Sequence, residues 1–138
     1  MFGGRSGASS PLRTGYPWQT VFPVPLTSVL SGASIRQLAY WRKHVPSFTP
    51  LLVPEGRRGR AFLYGIADIV ALRSIVYLRE EKSLPKIRRA VDALRALEAD
   101  EWTHLADYTL RRTESTIYVV RRDGTAVDPR GAPWARAD

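Results

Sequence analysis

The sequence predicts a small, mainly helical fold with a β-wing between its second and third helices and a small β-hairpin unit at its C-terminal end. Three observations point there. Apolar residues recur at spacings of three and four in two blocks, 26–44 and 65–98. Between these blocks, VPSFTPLLVPEGRRGRAFLY carries Pro46, Pro50 and Pro54, which forbid a helix, and sets the glycine-bounded EGRRG between two apolar runs. Beyond residue 107, YTLRRT and STIYVVRRDGTAVD are rich in Thr, Val, Ile and Tyr, with Asp123-Gly124 as a hairpin turn between extended runs.

The elements follow in order. Residues 1–25 are rich in Gly, Ser and Pro, with prolines spaced so that no helix propagates, and predict a flexible N-terminal arm. Its later residues Tyr16, Trp18, Val21 and Phe22 are apolar enough to lie extended against the body. Leu26, Val29 and Leu30 then supply the apolar side of a short helix that Ser31-Gly32 stops, glycine being the residue that a left-handed C-cap favours. Ser34 is placed to N-cap the next helix, in which Leu38 and Trp41 pack and which runs to His44. Two short helices across a tight glycine turn make a helix-turn-helix.

After the hairpin, Ile66, Ile69, Val70, Leu72, Ile75, Val76 and Leu78 form the broad apolar face of a helix central to a small core. Ser83 caps the next helix, Pro85 sits in its first turn, and Leu84, Ile87, Val91, Leu94 and Leu97 repeat at helical spacing. Arg88 and Asp92 are expected to pair on its wet side. The predicted organisation is therefore an arm over 1–25, a head over 26–100, and a β-rich unit and tail over 101–138, where Trp134 can dock.

Composition narrows the function classes. A chain of 138 residues can bury a core without cross-links, and the absence of cysteine excludes disulfides, thiolate metal sites and thiol nucleophiles. No apolar run reaches the roughly 20 residues that span a bilayer, and no secretory signal opens the sequence, so a cytoplasmic protein with no membrane partner is expected. Of the net charge of +8, a share of +5 falls within residues 27–60. A concentrated basic segment is the electrostatic footprint of a nucleic-acid binder.

Helix, turn, helix, basic hairpin, helix, helix resembles the MerR-type winged helix-turn-helix family. SGASIRQLAYWRKH is similar to that family's turn and recognition helix, with Ser34, Leu38, Tyr40 and Trp41 in the matching places. Arg60 and Tyr64 stand where an arginine and then a tyrosine leave the family's wing. Asp68, Leu72, Leu78, Leu84 and Ile87 hold positions of the two helices that follow. The resemblance covers Leu26 to Leu97. Two features depart from it: Ala39 replaces an arginine that often precedes the aromatic pair, and the chain turns to β-structure near Asp107, where the family's regulators continue into a long coiled coil.

The resemblance implies a transcriptional regulator that binds double-stranded DNA as a homodimer on an inverted repeat. Arg36 and Gln37 have the donors to read guanine and adenine from the major groove. Ser34 at the helix N-terminus, Tyr40, Arg42 and Lys43 are expected on phosphates, as are Arg57, Arg58 and Arg60 of the hairpin and, from the resemblance, Tyr64. The short branch of the family with an antitoxin-like C-terminal part suggests the alternative, an antitoxin that binds a toxin protein and regulates its own promoter. No enzyme, metal or cofactor is expected: His104 has only Asp100, Glu101 and Asp107 near it in sequence, and no phosphate-binding loop or nucleophile motif is present.

Overall fold

The computed structural model describes residues 20–44, 46 and 49–129. The expectations for Tyr16, Trp18 and Trp134 lie outside these residues. Among the described residues the chain runs β1 (Val21–Pro23), α1 (Val24–Ser31), α2 (Ile35–Trp41), β2 (Gly56–Arg58), β3 (Ala61–Gly65), α3 (Ile66–Arg79) and α4 (Leu84–Leu97). A single 3-10 turn (Leu105–Asp107), β4 (Thr109–Arg112), β5 (Ile117–Val120) and β6 (Ala126–Val127) follow.

These elements make a mix of helix and sheet: four helices and two three-stranded antiparallel sheets, ordered β1-β3-β2 and β4-β5-β6. That corrects the expected class, a mainly helical winged helix-turn-helix with a β-hairpin appended. The first departure lies in the supposed arm. Val21, Phe22 and Pro23 pair with Gly65, Tyr64 and Leu63, turning the hairpin into a sheet. The prolines that ruled out a helix are compatible with an edge strand, where a missing N–H faces outward. Pro25 then sits in the first turn of α1, where the lost donor costs little, so the helix starts at Val24.

The hairpin itself is also displaced from the predicted register. Gly56, Arg57 and Arg58 pair with Leu63, Phe62 and Ala61, so the arginines form the first strand and only Gly59-Arg60 connects the strands. Gly59 takes φ 60, a left-handed conformation suited to glycine. Leu51 and Leu52, expected in a strand, are buried in a loop whose amides donate to the Trp41 carbonyl.

One core collects Leu38 and Trp41 from α2, Leu72, Ile75 and Leu78 from α3, Ile87, Val91 and Leu94 from α4, and Leu110, Ile117, Val119 and Val127 from the second sheet. It continues through residue 100 without a break. Helix α4 follows the sequence reading closely: the Ser83 hydroxyl accepts from Lys86 N, and the i, i+4, i+7 row Ile87, Val91 and Leu94 is buried. In the second sheet, Gly124 at φ 90 turns the chain between β5 and β6, and Asp123 Oδ1 accepts from Thr125 N, as an Asp-Gly turn predicts.

Helix α1 reverses its predicted orientation. Thr27 and Ser31 face the interior, while Leu26, Val29 and Leu30 are exposed. The inward hydroxyls are satisfied locally: Thr27 Oγ1 donates to the Phe22 carbonyl, and Ser31 Oγ accepts from Ala33 N. Among the described residues no helix is long and apolar enough to cross a membrane.

Candidate nucleic-acid interface

Helix α2 is set by its N-terminus. Ser34 Oγ accepts from Gln37 N at 3.0 Å while Gln37 Oε1 accepts from Ser34 N at 2.9 Å, a reciprocal capping box. Leu38 and Trp41 bury the opposite face, and the helix closes at Arg42, earlier than the expected His44. Ile35, Arg36, Ala39 and Tyr40 remain on the solvent side, with Lys43 just beyond the helix end.

The hairpin lies beside this helix through one aromatic ring. Phe62 has the Arg42 guanidinium 4.0 Å from its centroid and the Arg57 guanidinium 4.8 Å from it. Arg42 Nη1 also donates to Tyr64 Oη at 3.0 Å. Side chains alternate along a strand, so Phe62 and Tyr64 share the sheet face toward α2, and Arg57, directly opposite Phe62, joins them. Arg58, opposite Ala61, belongs to the other face. The two arginines adjacent in sequence are thus divided across the sheet, and Arg60 stands in the connection.

A single buried carboxylate holds the base of the hairpin. Asp68, in the first turn of α3, accepts from Glu55 N and Gly65 N through Oδ2, each at 2.9 Å, and so ties together the approaches to both strands. Its other oxygen lies 2.8 Å from His104 Nε2. His104 Nδ1 accepts from Ala106 N, which leaves the ring proton on Nε2, directed at Asp68. The Glu55 carboxyl beside them is raised above its ordinary value, first by burial and then by the Asp68 charge, with His104 opposing.

The ten predicted contact residues therefore separate. Arg36, Lys43, Arg58 and Arg60 are exposed and make no hydrogen bond or ion pair among the described residues. Arg57 is exposed with its guanidinium over Phe62. Tyr40 is 45% exposed, with the Arg88 guanidinium 5.4 Å from its ring centroid. Ser34 and Gln37 are engaged with each other, so a two-bond contact from Gln37 to adenine requires the capping box to open. Arg42 is half-buried and holds the hairpin. Tyr64 is fully buried, its hydroxyl pKa raised by desolvation against the pull of Arg42, and it cannot reach a phosphate without unfolding the strand.

Residues outside the predicted set carry more structure than their sequence neighbourhood indicates. His104 pairs with Asp68 rather than with Asp100, Glu101 or Asp107. Arg88 does not lie on a wet face: it is buried and donates to the Thr49 carbonyl, while Arg95 donates to the carbonyls of Pro50 and Leu51. The Arg111-Arg112 pair divides in the same manner, whereas Arg121 and Arg122 each bond a carboxylate, of Glu98 and of Asp107. Arg112 lies over the Tyr77 ring and donates to the Tyr77 carbonyl, and Arg121 makes two bonds to Glu98. Adjacent residues on a helix or strand point in different directions, so a pair of like residues rarely shares one fate.

A cleft of about 340 Å³ lies between the end of α4 and the β5–β6 turn, lined by Glu98, Glu101, Asp107, Tyr108 and Arg121 among others. Two of its carboxylates are engaged, Glu98 by Arg121 and Tyr108 and Asp107 by Thr103 and Arg122. Among the described residues no three His, Asp or Glu side chains are grouped to hold a metal ion. Comparison with known proteins finds no match for the chain among protein families, curated proteins or solved structures, so the resemblance of residues 26–97 stands on the residues that carry it.

Proposed function

We propose that the chain is a sequence-specific DNA-binding transcriptional regulator that meets duplex DNA with helix α2 and the arginine hairpin β2–β3, as a dimer. The observation that carries this reading is the Phe62 ring shared by Arg42 and Arg57, which sets one exposed arginine of the hairpin beside the C-terminal end of the helix. A rigid pair of basic elements can follow a groove and its flanking phosphates together, which a lone basic loop cannot.

Within this reading the side chains have different roles. Arg36, exposed and unengaged, reads a guanine through its paired donors. Gln37 offers its amide N–H to a base acceptor while its carbonyl oxygen stays in the cap. Lys43, Arg57, Arg58 and Arg60 contact phosphates, which fix register and contribute affinity without reading sequence. Arg42 and Tyr64 are positioning residues.

Selection of bound duplexes from a random pool tests the proposal. The expected product is an inverted-repeat consensus, and Arg36→Ala is expected to relax preference at one base position per half-site by about 1–3 kcal/mol. Recovery of unselected sequences by the unaltered chain would refute sequence reading, and recovery of no duplex at all would refute DNA binding.

A further inference from the structure

The proposed DNA contacts all lie between Arg36 and Arg60, and the segment after α4 supplies none of them. It nevertheless meets the hairpin at one point. Asp68 Oδ2 gathers Glu55 N, one residue before β2, and Gly65 N, at the end of β3, so the open end of the hairpin closes on a single oxygen. The other oxygen, Oδ1, is met by His104 Nε2 at 2.8 Å, from 36 positions along the chain. The ring of His104 is itself seated. Its Nδ1 accepts from Ala106 N at 2.9 Å, and Leu105 beside it is buried in the core. Asp107 of the same 3-10 turn is held by Thr103 and by Arg122 from the β5–β6 turn.

We infer that His104 is a positioning residue for the hairpin: through Asp68 it ties the turn after α4 to the base of β2–β3 and so sets where the arginines of the tip stand. The donor matters for its fixed position. A ring seated on a turn holds Oδ1 in place, and with it the Oδ2 that carries both strands. A water filling the space left by the ring would bond the oxygen without anchoring it. A second tie, from Arg42 Nη1 to Tyr64 Oη, fastens the hairpin to α2, and the two together set its tilt. Four residue steps of about 3.3 Å put Ala61 roughly 13 Å from Gly65. A tilt of about 10° at the base therefore moves the tip by roughly 2 Å, more than the range over which a hydrogen bond to phosphate holds. Arg58, opposite Ala61, and Arg60 ride on that end.

The hold is a property of the free chain, whereas its effect on duplex binding rests on the proposed function, and two measurements keep them apart. Two substitutions divide the bonds of the ring. His104→Asn keeps an acceptor where Nδ1 stands, for Ala106 N, but is too short to reach Asp68. His104→Gln carries an N–H the same number of bonds from Cβ as Nε2 and so restores the donor to Asp68. Amide hydrogen exchange of the full chain without DNA reads the hold. In His104→Asn the Glu55 and Gly65 amides should exchange faster by about tenfold, while Val91 and Leu94 of α4 keep the parental rate and His104→Gln stays close to the parent. Duplex titration reads the consequence. His104→Asn should flatten the logarithmic salt slope by about 1–2 as Arg58 and Arg60 leave their phosphates, keep the base preference read by Arg36, and add little to Arg58→Ala. Unaltered exchange at Glu55 and Gly65, acceleration shared by α4, or a glutamine variant no better than asparagine would overturn the hold, whether or not the chain binds DNA. A freed hairpin with an unchanged salt slope would overturn its bearing on DNA. A parent that binds no duplex removes that bearing together with the proposed function, and the exchange result alone then decides the hold.

Discussion

Replacing Asp68 by asparagine conserves shape and removes one oxygen, and the geometry leaves the new amide no good orientation. Asp68 is 3% exposed and accepts three hydrogen bonds, two from the backbone at the hairpin base and one from His104. If the amide nitrogen takes the Oδ2 position, it confronts Glu55 N–H and Gly65 N–H with further hydrogens. If it takes the Oδ1 position, it confronts Nε2–H of His104, which can yield only by moving its proton to Nδ1 and giving up Ala106 N–H. The second arrangement costs less: it forfeits one bond to a charged acceptor, at about 1.5–3 kcal/mol, and weakens two others by removing the charge.

A total loss of about 2–4 kcal/mol follows, a large part of the 5–15 kcal/mol typical of a domain. With a urea m-value of about 1–3 kcal/mol per molar, the midpoint should fall by roughly 1–2 M, measured through tryptophan fluorescence. The diagnostic is the double substitution. His104→Ala removes the donor with which the new amide collides, so Asp68→Asn and His104→Ala together should cost clearly less than the sum of the two singly, by about 1 kcal/mol or more. Additivity within about 0.5 kcal/mol would refute the conflict at Oδ1.

Two further predictions concern the second sheet. Arg121 hydrogen bonds outweigh burial and hold the Glu98 carboxyl below the usual carboxylate range. That stabilisation is present above the carboxyl's unfolded-state pKa and is lost as pH falls through its lower folded-state value. Urea midpoints of Arg121→Ala should therefore lie below those of the parent at neutral pH and converge with them in acid, and a gap constant with pH would contradict the assignment. Gly124→Ala should cost about 1–2 kcal/mol, because φ 90 strains any L side chain although nothing lies within 4 Å of the added carbon, and Gly124→Asn should cost less. Thermal unfolding of the two variants compares them directly.

Local chemistry made parts of the fold legible in the sequence. Ser34 and Ser83 cap the helices expected of them, Asp123-Gly124 turns a hairpin, and Leu38, Trp41, Ile87, Val91 and Leu94 are buried, because caps, turns and helical rows depend on neighbours a few residues away. The orientation of α1 was not legible. Small hydroxyl residues can face inward once their bonds are made nearby, and in eight residues either row is a defensible core face. Val21 and Phe22 read as extended against the body, but their pairing as strand β1 was not legible because the partner β3 lies some forty residues along the chain, and with the second three-stranded sheet it takes the fold out of its expected class.

The candidate site divided along the same line. Exposure of Arg36, Lys43, Arg58 and Arg60 follows from their local setting. The commitments of Arg42 and Tyr64 to one another, and of Asp68 to His104 across 36 positions, depend on tertiary approach. Arg88 reads as a solvated charge until the Thr49 carbonyl it serves is placed beside it.

The central claim is that the exposed cations of α2 and the hairpin form a duplex-binding surface. Fluorescence anisotropy of a labelled duplex, titrated with the chain over a series of salt concentrations, tests it most directly. Five exposed cations, Arg36, Lys43, Arg57, Arg58 and Arg60, should give a logarithmic salt slope of roughly −3 to −5, and Arg58→Ala should flatten it by about 1 while weakening all duplexes alike. Binding indifferent to salt, or a slope that Arg58→Ala leaves unchanged, would contradict the claim.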